Sequence, residues 1–461
     1  MTDTPSNAAA LPASSEKSSA SALANGGGEE IRRLMRRNSL SAFMGGLLEW
    51  YDFGLYGWAA SLVFQPLFFA SDSTTVGSLA AFATFGVGFV VRPLGGLIFG
   101  HIGDRVGRKT TLLLTMLLMG GATLGVGLLP THATAGVWAA VALVLCRLIQ
   151  GIAVGGEFGG AALIAAEEAP AHRRGFWSSA AIVGGPAGLV LSSLVFTAFS
   201  AMPEEQFLSW GWRFPFLLSV VVVAFGLYIR RKLEDSDVFK ESLGREPDRV
   251  PAAELMRHHK WLVLRALGAR LVDAPVANVF TVFGVSYITN ELGGSSTLAL
   301  LCGLICNAVL FLLAPLCAAL SDRIGRRPVL LVGAVFMTVS PFVGFLIMHI
   351  GTGPAIILGA LIAWPVAGAF IEGPMPATLT ELFPTAIRCS GVSFVYQLQT
   401  ILGGAMPFIA AALVSATGGQ PWLLAGVLAV LGLLNVASLL LLPEVRGRDL
   451  DIGLDSHAAR T

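Results

Sequence analysis

Charge is what this sequence has least of. Only 13% of its residues are Asp, Glu, Lys or Arg, about half the share of an ordinary soluble domain, while 54% are hydrophobic. That balance excludes a water-soluble globular chain. Cysteine is scarce as well: Cys146, Cys302, Cys306, Cys317 and Cys389 fall in or beside apolar runs, with no CxxC pair. Nothing has zinc-like spacing, so the five read as small packing residues and no metal site is expected. The pattern GxxxxGK[ST] occurs nowhere, which gives no support to ATP-driven work. The first 30 residues are rich in Ala, Ser and Gly and lack the apolar core of a secretory leader, so they read as a disordered tail. A net charge of +1 gives no guide to partners; no cofactor and no nucleic-acid partner is expected.

What is abundant is long apolar runs. Hydropathy places twelve spans, six of them near 40–65, 78–100, 110–129, 135–166, 175–200 and 213–230. The other six lie near 261–289, 297–319, 328–349, 354–382, 390–416 and 421–443, and runs of this length suit a hydrocarbon core. With both termini placed in the cytoplasm, 25 of the 30 lysines and arginines fall on one side, as the positive-inside bias requires. The fold expected is an all-α polytopic membrane protein: a disordered tail (1–38), a six-helix bundle (39–230), a cytoplasmic central loop (231–260), a second six-helix bundle (261–443) and a short tail (444–461).

An internal repeat relates the two bundles. GHIGDRVGRKTTLL (100–113) returns as ALSDRIGRRPVLL (319–331), so that Asp104, Arg105, Gly107 and Arg108 match Asp322, Arg323, Gly325 and Arg326 at an offset of 218. Glu167-x-x-Pro170-x-x-x-Arg174 returns as Glu381-x-x-Pro384-x-x-x-Arg388 at an offset of 214. Two motifs recurring in order imply two homologous halves, as in carriers built on repeats. Glycine at these turns, Gly103 included, lets the backbone reverse. The acids and arginines can then bridge neighbouring helix ends, so both copies read as a cytoplasmic latch for one state of a two-state cycle. The alternative is topogenic positive charge alone, which leaves the two aspartates unexplained.

The loop GHIGDRVGRK with its echo SDRIGRRP resembles the signature of the major facilitator superfamily, and RLIQGIAVGG (147–156) resembles that superfamily's fourth-helix motif. Together with EWYDFGLYG, RPLGG (92–96), RLIQGIAVGGEFGGA and GWRFPF (211–216), the chain resembles the metabolite:proton symporters, which carry citrate, 2-oxoglutarate, shikimate, aromatic acids, or proline and betaine. The resemblance implies substrate–proton symport by alternating access; residue spacing alone implies only a repeat-built carrier. GGPAG (184–188) echoes an antiporter motif without its longer flanks. The chain stops 18 residues after its last span, without the heptad extension of osmosensing members.

Ionisable groups inside spans mark substrate or proton paths when they are not static ties between helices. Glu49 and Arg92 lie at matching depth, about 14 Å from the cytoplasmic side, and Asp52 shares a helix face with Glu49. Arg147 sits about 18 Å deep, and Arg270 and Asp273 form an i,i+3 pair in the seventh span. Glu157 and Glu372 take near-equivalent places in the fourth and tenth spans. The resemblance implies that spans one, four, seven and ten line a central cavity where these charges converge. Glu49, Asp52, Asp273, Glu157 and Glu372 are the proton-coupling candidates, Asp52 and Glu49 foremost. Arg92, Arg147 and Arg270 are the substrate-binding candidates, with Tyr51, Tyr56, Gln150, Asn278, Tyr396 and Gln397 as orienting groups. In the mechanism expected, an anionic substrate takes over an arginine and the displaced acid binds a proton. The chain is therefore expected to be a secondary transporter, not an enzyme. It would work as a monomer in an inner membrane, carrying a small organic anion with H⁺. A zwitterion carrier for proline or betaine is the alternative; a membrane-embedded enzyme or a channel is the rival from another class.

Overall fold

Backbone polar groups find no water inside a bilayer, so apolar runs of this length fold as helices that satisfy them internally. The computed structural model describes residues 28–69, 84, 86–167, 169–231, 255, 257–448 and 450, and no strand occurs among them. The first half contains α1 (Gly28–Ala59), α2 (Arg92–Val106), α3 (Arg108–Leu128) and α4 (Val137–Glu167), then α5 (Ala171–Ser200) and α6 (Glu204–Arg231). The second half contains α7 (Lys260–Asn290), α8 (Ser296–Ile324) and α9 (Arg326–Met348). It closes with α10 (Gly353–Leu382), α11 (Arg388–Ala416) and α12 (Trp422–Leu440). Ten are long and apolar enough on their own to cross a membrane; α1 and α2, which carry Glu49, Asp52 and Arg92, complete the twelve.

Packing repeats between the halves. In the first, α1 lies on α5, α2 and α3 on α4, and α3 on α6; in the second, α7 lies on α11, α8 and α9 on α10, and α9 on α12. The halves meet where α2 packs on α11 and where α5 packs on α8, contacts that the same pseudo-twofold interchanges. Large side chains such as Leu194, Leu346 and Phe408, between 62% and 80% exposed, stud the outer surface and face lipid in a protein of this class. Three helices widen to π turns, at Ala60–Phe64 beyond α1, Phe207–Gly211 in α6 and Val279–Phe283 in α7.

Both signature loops reverse on glycine. Gly107 (φ +119°) and Gly325 (φ +113°) take a backbone conformation essentially closed to residues with a Cβ, and each joins two helices with a single residue between them. The boundaries differ from the sequence reading at both ends. Helix α1 begins at Gly28, well inside the stretch read as a disordered tail. After α12 the chain does not trail off: Val445 and Leu450 are buried. Residues 1–27, 232–254 and 451–461, which hold most of the expected tails and central loop, lie outside the described residues.

Candidate functional site

Three buried acids, Glu49, Asp52 and Asp273, each meet an arginine within the spans. Arg92 Nη1 donates to Glu49 Oε1 at 3.3 Å, with the guanidinium over the Phe89 ring at 4.4 Å. One turn along α1, Asp52 is the centre of a denser network. Its Oδ1 accepts from Thr123 Oγ1 at 2.5 Å and from Gln150 Nε2 at 2.7 Å, and its Oδ2 faces Arg147 Nη1 at 3.5 Å. Arg147 also packs over Tyr56 at 4.3 Å, and the Tyr56 hydroxyl donates to Thr84 at 2.7 Å. In the second half Arg270 Nη2 donates to Asp273 Oδ2 at 3.0 Å and its guanidinium lies 4.3 Å over Tyr396. The Tyr396 ring stacks on Phe158 of the first half at 3.4 Å. The carboxyl of Glu372 reaches Asp273. Each arginine is thus held between one acid and one ring, a geometry that keeps a cation in a dry site and leaves it able to exchange one anion for another.

The remaining candidates are more dispersed. Glu157 does not share the surroundings of Glu372: it pairs with Arg230 and accepts from Thr115 at 2.7 Å, while Arg230 also donates to the Leu112 carbonyl at 2.7 Å. This ties α4 to α3 and α6 within one half. The Tyr51 hydroxyl donates to the Pro215 carbonyl, Asn278 bonds back to Ala274 on its own helix, and Gln397 reaches across to the Val154 carbonyl at 3.0 Å. Sequence reasoning missed Arg230, which ends an apolar run and is fully buried. It also missed Thr123 and Thr115; a lone threonine in a membrane span gives no signal.

At the end of the bundle where α1 begins and α12 ends, the duplicated motifs interlock the halves. Asp104 accepts from the backbone N–H of Cys389 and Ser390, each at 2.9 Å, and from the Ser390 hydroxyl at 2.7 Å, at the start of α11. Reciprocally, Asp322 accepts from Gly175 and Phe176 N–H at 2.8 and 2.9 Å, in the first turns of α5. A carboxylate at a helix N-terminus meets unsatisfied donors and the positive end of the dipole. Two ion pairs flank them: Arg174–Glu381 at 2.8 Å and Arg388–Glu167 at 3.1 Å. Arg326 braces Glu381 and Asp322 at 3.0 and 2.7 Å. Arg105 and Arg323 are exposed, and the side chain of Arg108 lies outside the described residues. Gly103 packs against the thiol of Cys389. Glu444 caps α9 through Arg326 and Arg327 N–H at 2.9 and 3.0 Å. The Arg448 and Leu450 carbonyls accept from Arg174 and Arg388 at 3.2 and 2.7 Å.

Comparison with known proteins gives this geometry a setting. The profile of the family described as "Sugar (and other) transporter" matches residues 39–248 and again 241–452. The shikimate transporter of Escherichia coli K12 is 40% identical over 84% of this chain and 89% of its own. The inner membrane metabolite transport protein YhjE of the same strain is 35% identical over 92% and 98%. The proline/betaine transporter of Salmonella typhimurium LT2 is 32% identical over 88% and 83%. Among solved structures, the proton:xylose symporter XylE of the major facilitator superfamily, bound to 6-bromo-6-deoxy-D-glucose, superposes with a TM-score of 0.72 over 92% of this chain and 99% of its own, at 19% identity. The chain has the fold of that major facilitator superfamily symporter, belongs to the sugar (and other) transporter family, and is a membrane transporter rather than an enzyme.

Proposed function

We propose that the protein is a proton-coupled symporter of a small organic anion, seated in an inner membrane with both termini in the cytoplasm. The observation that carries this reading is the trio of buried arginines, Arg92, Arg147 and Arg270, each 7% exposed or less and each already facing a carboxylate. A buried ion pair is costly to assemble and a poor device for stability alone; three of them near the seam between two halves suit a cargo anion that displaces an acid and obliges it to take a proton. The clamps of Asp104 and Asp322 then belong to the state closed toward the cytoplasm, and they break when the site opens inward. The K12 shikimate carrier and YhjE support an acidic metabolite and an inner membrane.

Proteoliposomes with an imposed inside-alkaline gradient test this. Labelled shikimate, citrate and 2-oxoglutarate are offered in turn, and accumulation above the equilibrium level, with matching H⁺ entry, is expected for at least one. Solute entry with no accompanying H⁺ movement would overturn the reading. A zwitterionic cargo is the second reading. The Phe158–Tyr396 stack beside Asp273 offers rings and a carboxylate of the kind that recognise a quaternary ammonium, and the Salmonella relative carries proline or betaine by name. Accumulation of glycine betaine in place of every acid would favour it.

A further inference from the structure

The buried acids of the first half each face a donor, but in the second half two carboxyl groups face each other. Asp273 on α7 is fully buried; its Oδ2 accepts from Arg270, and its Oδ1 has no protein donor. Glu372 on α10 is half-buried, with its carboxyl within hydrogen-bonding reach of Asp273. Ionised carboxylates only accept, so this contact closes only with a proton between them. Two bare negative charges at that separation would repel strongly at low dielectric. Asp52 has the opposite chemistry: three donors on its two oxygens suit an ionised acceptor. The groups that face the pair are Arg270 from α7 and Tyr396 from α11, with Glu49 of α1 and Arg92 of α2 beyond the Tyr396 ring.

Unused donors stand beside the pair. Nε and Nη1 of Arg270, a residue 2% exposed, have no acceptor. On α11 the amide of Gln399, 4% exposed, is unpartnered at both its oxygen and its nitrogen. Gln399 follows Tyr396 by three residues, which puts the two one turn apart on the helix. Gly403, one turn further, packs on Ala274 of α7, so the register sets Gln399 level with Arg270.

We propose that Asp273 and Glu372 form one proton-holding site, Glu372 donating its O–H to Asp273 Oδ1, and that this proton is the one that crosses with the cargo. Arg270 on Oδ2 keeps Asp273 as the acceptor, and half-buried Glu372 supplies the exchange point. An anion on the idle edge of Arg270 would load in contact with the proton. This rests on the symport reading, and it moves the coupling proton from the Glu49–Asp52 turn of α1 to α7 and α10.

Infrared absorption of the purified full-length protein at neutral pH tests the site without any cargo. Wild type is expected to show the carbonyl stretch of one protonated carboxyl, shifted when glutamate is labelled with carbon-13. Glu372→Gln and Asp273→Asn should each abolish it, and Glu49→Gln should leave it. Absence of the band in folded wild type, its survival in both variants, or its loss in Glu49→Gln would overturn the proposal. Should the variants fail to fold, the isotope shift decides, since an unshifted band or none refutes Glu372 as the donor. Failure of the transport reading looks different: the band is present, but no acid or betaine is driven by the pH gradient.

Discussion

Replacing Asp104 by Asn tests the clamp between the halves. The carboxylate accepts three hydrogen bonds from the start of α11, at 2.9, 2.9 and 2.7 Å. An amide keeps one acceptor oxygen and loses the charge. At the lower end of about 1.5 kcal/mol for a bond to a charged group, and with two bonds lost, the closed state gives up about 3 kcal/mol. Each 1.4 kcal/mol is a factor of ten, so the open population rises about a hundredfold. The protein carries its own reporter: Cys389 is fully buried under the same contact, beside Gly103. Maleimide labelling of Cys389, followed by mass spectrometry of the peptide, reads the fraction of time the gate is open. Asp322→Asn, which releases Gly175 and Phe176 on the pseudo-symmetric side, should accelerate the same labelling. If Cys389 reacts no faster in either variant, while both remain folded, the aspartates do not hold the gate and the reasoning fails.

Arg230→Ala should lower stability by about 3–5 kcal/mol, because Glu157 is left buried without its partner; Arg230→Met with Glu157→Leu should recover much of the loss in a thermal unfolding assay. Gly107→Ala and Gly325→Ala should each cost about 1–3 kcal/mol of backbone strain, and unequal shifts well outside that range would contradict the shared conformation of the two loops. Arg147→Lys keeps the charge but not the flat face over Tyr56 nor the Nη1 that reaches both Asp52 and Gln150. Initial uptake should fall about tenfold, the worth of roughly 1.4 kcal/mol, in vesicles loaded by a pH gradient; unchanged uptake would mean that charge alone suffices.

Much of this architecture is legible before any coordinates. Span length and the one-sided distribution of basic residues define twelve helices, and the 218-residue offset pairs Asp104 with Asp322. Depth counting alone sets Glu49 level with Arg92, and they meet. What it does not reveal depends on rotation about each helix axis and on approach across the seam. Depth puts Glu157 and Glu372 in similar places, yet one turns to Arg230 and the other to Asp273. Nor does polarity distinguish a free tail from a docked one: residues 444–450 read as part of a short tail, but the Arg448 and Leu450 carbonyls and Glu444 satisfy donors of both halves.

The widened turns have a consequence for ancestry. Ala60–Phe64 and Val279–Phe283 stand 219 residues apart, within one residue of the spacing between the signature loops. A π turn holds an extra residue within the helix, and both copies hold theirs at the same place, as two descendants of one six-helix unit would. Deleting one residue from either turn alone would put the two descendants out of step from that point to the end of the helix.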